Sequence, residues 1–108
     1  MSIQEIINNG GATINYKGKI ITMVSGYQVS KQDLGRVAIA DFTQKMIDDV
    51  IAHGLKRGEY CGIWVDSGFV YVDISVRIAT KNKAMVMGKQ LNQLSILRWC
   101  DMECLACA

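Results

Sequence analysis

The 108-residue chain contains no proline, a single histidine, only two tryptophans and only two phenylalanines. The lack of proline, together with the lack of any low-complexity run, argues against a long disordered segment. The longest apolar runs fall far short of the ~20 residues that span a bilayer. The first residues, Met-Ser-Ile-Gln-Glu-Ile, lack the basic and apolar regions of a secretory signal, so the expected location is the cytoplasm. No P-loop, G-x-G-x-x-G, H-E-x-x-H or G-x-S-x-G pattern is present. Nothing near the lone His53 suits it to act as a general base or metal ligand; near a helix end, its positive form complements the dipole. The expectation is a non-enzymatic protein with no catalytic residue, no metal and no cofactor.

Acidic residues are missing from one stretch in particular. Between Ile74 and Cys100 lie Arg77, Lys81, Lys83, Lys89 and Arg98, and no Asp or Glu. A solvated helix face explains this run. A patch contacting phosphates explains it too, and lysines early in a helix oppose its dipole. Arg77, Lys81, Lys83 and Lys89 are therefore the candidate residues for binding a nucleotide or nucleic acid. The overall charge of +2 points to no partner.

What is present describes one ordinary globular domain covering residues 1–108. Half of the residues are hydrophobic and a fifth are charged, and a chain of this length buries roughly 60–65% of its unfolded surface. Ile3, Ile6 and Ile7 predict a short helix within residues 1–9, stopped by Asn8-Asn9-Gly10-Gly11. Thr13–Tyr16 and Lys19–Val24 predict two strands around Lys17-Gly18, with Gly26–Ser30 continuing the second and Lys31–Gly35 as a polar loop. Asp41 and Gln44 have the spacing of a capping box. They open a helix with an apolar stripe of Phe42, Met46, Ile47, Val50 and Ile51. A second helix is expected from Lys81 to Leu91 after Thr80, and a short strand over Leu94–Trp99. The expected fold is α+β: a small antiparallel sheet of four to five strands with two main helices packed on one face.

The most specific stretch is Gly62-Ile63-Trp64-Val65-Asp66-Ser67-Gly68-Phe69-Val70-Tyr71-Val72-Asp73-Ile74-Ser75. A two-residue turn at Ser67-Gly68 sets Asp66 opposite Phe69, Trp64 opposite Tyr71, Gly62 opposite Asp73 and Cys61 opposite Ile74. One face is then wholly apolar: Cys61, Ile63, Val65, Val70, Val72 and Ile74. The other pairs aromatics with carboxylates. Trp64, Asp66, Tyr71 and Asp73, with Tyr27, are the candidate partner-binding residues, because Trp and Tyr are enriched at interface hot spots. A covering by the protein's own chain is the competing expectation for this face. If exposed, it would serve a homodimer as readily as a foreign partner.

Cys100, Cys104 and Cys107 form C-x3-C-x2-C beside the solitary Cys61. Paired C-x2-C knuckles of a zinc site are missing. Residues 100–108 are expected to be a reduced tail without regular structure.

Gly26-Tyr27-Gln28-Val29-Ser30, the hairpin, and Asn92-Gln93-Leu94-Ser95-Ile96 together resemble a group of small accessory proteins encoded by phages and other mobile elements. Their recurring pattern is G-Y-x-V-S, then G-x-W-V-D-x-G-x-V-Y-V-D-I-S, then a helix and N-Q-x-x-I. The resemblance covers residues 26–97 and rests mainly on the hairpin. It implies a setting of phage–host conflict rather than an activity, and no catalytic residue is carried over with it. Small phage proteins in that setting often block a host defence complex, as anti-CRISPR proteins do. The implied partner is a bacterial defence effector in the host cytoplasm, with no membrane partner. The cysteine-rich end departs from the pattern, which would have a polar end there.

Overall fold

The computed structural model describes residues 2–93 and 95–107. The fold is α+β, with strands β1 Gly11–Asn15, β2 Tyr27–Ala38, β3 Glu59–Asp66, β4 Phe69–Ile78, β5 Ser95–Arg98 and β6 Glu103–Ala106. They form one six-stranded antiparallel sheet in the order β1-β3-β4-β2-β5-β6. The helices are α1 Ile3–Asn8, α2 Gln44–Ala52 and α3 Lys81–Gln90. The strand count is slightly higher than the sequence predicts. No helix among the described residues is long and apolar enough to cross a membrane.

The β3–β4 register matches the sequence expectation pair for pair, from Asp66–Phe69 through Cys61–Ile74. Ser67 and Gly68 both take positive φ, 51° and 86°, as a type I′ turn requires. Alternation then sends Cys61, Ile63 and Val70 to one side, where all three are buried. Ile6 of α1, Ile47 of α2, Phe42 and Leu55 pack against them and against Ile14 of β1. A second cluster joins Val29 of β2, Ala84 of α3, Ile96 of β5 and Cys107. All three helices thus lie on the same face of the sheet.

Four local expectations are corrected. Lys19–Val24 is not a strand: only Ile20 bridges Ile14, and after the Ile21 amide reaches the Thr13 carbonyl the chain must leave the edge to reach β2. The polar segment Lys31–Gly35 is part of β2. Register shifts fall between Ser30 and Gln32 and between Asp33 and Arg36. These bulges break the alternation that marks a strand, and Gly35, at φ 95°, donates its amide to Asp33 Oδ1. Asp41 does not cap α2: it lies in a 3-10 turn, Ile39–Asp41, and Thr43 is the N-cap. Burying Phe42 draws the backbone there into an extended conformation. The capping box of this chain is Ser2 with Glu5, at the start of α1. Finally, the cysteine-rich segment forms β6, paired with β5. The strand expected from Leu94 begins at Ser95, and Leu94 itself lies outside the described residues.

Gly88 explains how α3 seats. A Cβ there would lie 2.7 Å from Cys107 Sγ and 3.0 Å from Ile96 Cγ2, closer than packed atoms approach. Gly88→Ala is therefore expected to lower stability by about 1–3 kcal/mol, despite alanine's helix advantage of ~1 kcal/mol. A denaturant midpoint equal to or above that of the parent chain would refute this account of the contact.

Candidate functional site

Among the described residues no helix lies on the side of the sheet away from α1, α2 and α3, and the residues of that side follow from register. β3 presents Tyr60, Gly62, Trp64 and Asp66, and β4 presents Phe69, Tyr71, Asp73, Ser75 and Arg77. β2 adds Gln28, Ser30, Asp33 and Arg36, opposite Arg77, Ser75, Asp73 and Tyr71. α1 packs on the other face, and Trp64 is 48% exposed, so the protein's own helices do not cover the aromatic pair.

The two ends of this face differ. At the end away from the hairpin turn, side chains hydrogen-bond to one another. The Thr13 hydroxyl donates to Gln28 Oε1 at 3.1 Å, and Gln28 Nε2 donates to Ser75 Oγ at 2.6 Å. Arg77 donates from Nε to the Ser25 carbonyl and from Nη2 to its hydroxyl, both at 3.1 Å. That end is occupied by the segment leading into β2. Toward the turn, Arg36 stacks 4.3 Å from the centre of the Phe69 ring and donates to the Tyr71 hydroxyl at 3.3 Å. Trp64 stands across the strand from Tyr71. The result is a row of rings with one guanidinium laid along it.

Asp73 sits between these two ends. Gly62 opposite it has no side chain, and Asp73 Oδ1 fills the space: a Cβ on Gly62 would clash with that oxygen. Oδ1 is buried and makes no hydrogen bond among the described residues. Burial pushes the carboxyl up to about 6, the Ser30 hydroxyl opposes that by hydrogen bonding, and the charge of Asp33 across the strand adds to it. Burial, and to a lesser degree the charge of Asp73, push the Cys61 thiol on the opposite side up to about 12, so that thiol is inert.

The residues singled out in the sequence are thus divided among several places. Trp64, Asp66, Tyr71 and Asp73 share one face. Tyr27 does not join them: it pairs with Ile78 and packs in the second core cluster, on the helix side. Strand alternation puts its neighbour Gln28 on the open face instead. Arg77 is on the open face, whereas Lys81, Lys83 and Lys89 belong to α3 on the other side, so the four do not form one patch. Cys104 pairs with Leu97 away from the helices, and Cys107 is buried beside Gly88; the three late thiols do not converge. Among the described residues no group of three His, Cys, Asp or Glu side chains gathers. His53 Nδ1 lies 2.6 Å from the Asp49 carbonyl, at the end of α2. Two hollows of about 400 and 380 Å³ flank α2, and neither is lined by the open face.

Asp33, Arg36 and Phe69 are partners in this site beyond the residues that the sequence points to. Phe69 lies on the face that the hairpin register predicts. Asp33 and Arg36 were hidden by the bulges; the Asp33-Leu34-Gly35 turn signal was the available clue. No protein-family profile, curated protein or solved structure matches the chain.

Asp73 has a stability consequence whose sign follows from the pKa. The native carboxyl holds its proton up to about pH 6, whereas the ordinary value is 3.8. Between these values the folded state binds more protons, so stability falls as pH rises through that window. Above it, the ionised carboxylate costs roughly 3 kcal/mol at most. Asp73→Asn is expected to raise stability at neutral pH by roughly 1–3 kcal/mol and to flatten the dependence between about pH 4 and 6. Urea unfolding at a series of pH values measures both, and an unchanged slope would contradict the assignment.

Proposed function

We propose that the protein is a non-enzymatic inhibitor that docks through the hairpin end of its helix-free sheet face onto a bacterial defence complex. It acts by occlusion in the host cytoplasm, as an anti-CRISPR-type phage protein does. One observation carries the docking part of this reading: Trp64 is 48% exposed on a face that no helix covers, beside Tyr71, Phe69 and Arg36. A tryptophan left half in water forgoes burial free energy that folding would otherwise gain. Trp, Tyr and Arg together are the residue types that dominate interface hot spots. The defence setting rests on the resemblance of the hairpin to phage accessory proteins.

The nucleic-acid reading has less support. Arg77 is engaged with Ser25 and separated by the sheet from the lysines of α3.

The test is affinity capture from a bacterial host, followed by quantitative binding of the captured complex. The Trp64→Ala/Tyr71→Ala variant is expected to bind at least about 100-fold more weakly. Its stability should fall by only about 0.5–1 kcal/mol for the lost cross-strand pair. A folded double variant that binds at full strength would eliminate this face.

A further inference from the structure

The charges of the open face are unevenly satisfied. Its two arginines are occupied: Arg36 by the Phe69 ring and the Tyr71 hydroxyl, and Arg77 by Ser25. Its carboxylates are not matched by cations. Asp33, Asp66 and Asp73 form no ion pair among the described residues, where the ion pairs are Lys31–Glu59, Lys45–Asp49 and Arg98 with Asp101 and Glu103. Asp33 accepts the Gly35 amide, and Asp66 accepts the Ser67 hydroxyl at 3.3 Å. Among the described residues, the Ser30 hydroxyl is what stabilises the Asp73 charge. Asp33 and Asp73 also stand directly opposite each other on neighbouring strands, where like charges repel.

Folding alone does not account for this arrangement. A neutral side chain of the same shape at position 73 would relieve both the repulsion and the burial cost. What the three carboxylates lack, among the described residues, is a cation paired to them, and the surroundings define its form. Tyr71 is two residues from Asp73 on β4, and Trp64 is its diagonal neighbour on β3, close enough for a large side chain to touch both. A planar guanidinium stacks on aromatic rings and forks onto carboxylates, which an ammonium does less well.

Resting on the docking reading above, we infer that the occupant of this face is a protein segment presenting an arginine, whose guanidinium stacks on the Trp64–Tyr71 pair and bonds to the Asp73 and Asp33 carboxylates. Asp73 Oδ1 is buried in the space over Gly62, and no described residue donates to it, so an incoming donor meets the carboxyl at its other oxygen. Phosphate-bearing ligands are disfavoured by the same three carboxylates. Of the chain's own arginines, Arg98 is paired with Asp101 and Glu103, and Arg57 stands exposed in the turn after α2 rather than on this face; a second copy is therefore an outcome the test distinguishes.

The inference is tested by residue-resolved NMR titration at about 150 mM salt, where surface attraction is screened. The probes are octa-arginine, octa-lysine, octa-glutamate and an oligo-dT strand. Octa-arginine is expected to shift Trp64, Tyr71, Asp73 and Asp33 together and to bind more tightly than octa-lysine. Octa-glutamate and oligo-dT should leave these residues unmoved. Asp73→Asn and, independently, Asp33→Asn should each weaken octa-arginine binding by about tenfold or more while remaining folded. Octa-arginine binding that survives both substitutions would overturn the inference, as would tighter oligo-dT binding on this face. So would dilution-dependent shifts of the same residues without any peptide, which would assign the face to a second copy. If a captured partner releases the Trp64→Ala/Tyr71→Ala variant but holds Asp73→Asn at full strength, the arginine inference fails and the docking reading stands.

Discussion

The two-residue turn at Ser67-Gly68 is the constraint from which the rest of the molecule follows. It sets the pairing of β3 with β4, and a strand has only two faces to distribute its residues between. A slip of one residue would put Trp64, Tyr71 and Asp73 into the core and turn Cys61, Ile63 and Val70 into water. The helices have a surface to pack on only because the slip does not occur. The same alternation leaves Gly62 opposite Asp73, and only glycine leaves room for the carboxylate there. Core and open face are thus two results of one register.

Below that level, the sheet is assembled from less regular parts. β2 is the longest strand and the most interrupted. Its bulges turn Asp33 and Arg36 onto the open face, where the first meets Asp73 and the second lies on Phe69. The carboxylate and the guanidinium are therefore placed by irregular backbone, while the rings beside them are placed by regular pairing. α3 is seated by the opposite device, a missing side chain: Gly88 lets Cys107 and Ile96 approach its backbone.

What was legible in the sequence was what repeats at short range. The β3–β4 pairs could be written down because the turn is short and the alternation unbroken. α3 and the sheet-plus-helices class followed from spacing in the same way. β2 was not legible beyond Ser30, since a bulge shifts the period and a polar run then looks like a loop. Asp41 had the spacing of a cap, but Phe42 had a stronger claim on the backbone through its burial. β6 gave no sign because its turn uses Met102 at φ 58°, a residue with no preference for that conformation, steadied by Asp101 accepting the Glu103 amide. In the candidate site, the aromatic–acid face was legible from residues 62–75. Its partners from β2 and the exclusion of Tyr27 depended on pairings between distant segments.

The division of the core into two clusters has a consequence for motion. One cluster ties α1, α2, β1 and the turn half of the β3–β4 hairpin together; the other ties α3, β5 and Cys107 to the start of β2 and to Val76 and Ile78 at the end of β4. Between them runs the bulged, exposed middle of β2. Units of this kind open separately, with their own free energies. Amide hydrogens of β5 and β6 are expected to exchange through a local opening that leaves the hairpin protected. The Trp64–Tyr71–Asp73 surface is backed by the first cluster, so on this expectation a ligand settling on it has little backbone disorder to remove.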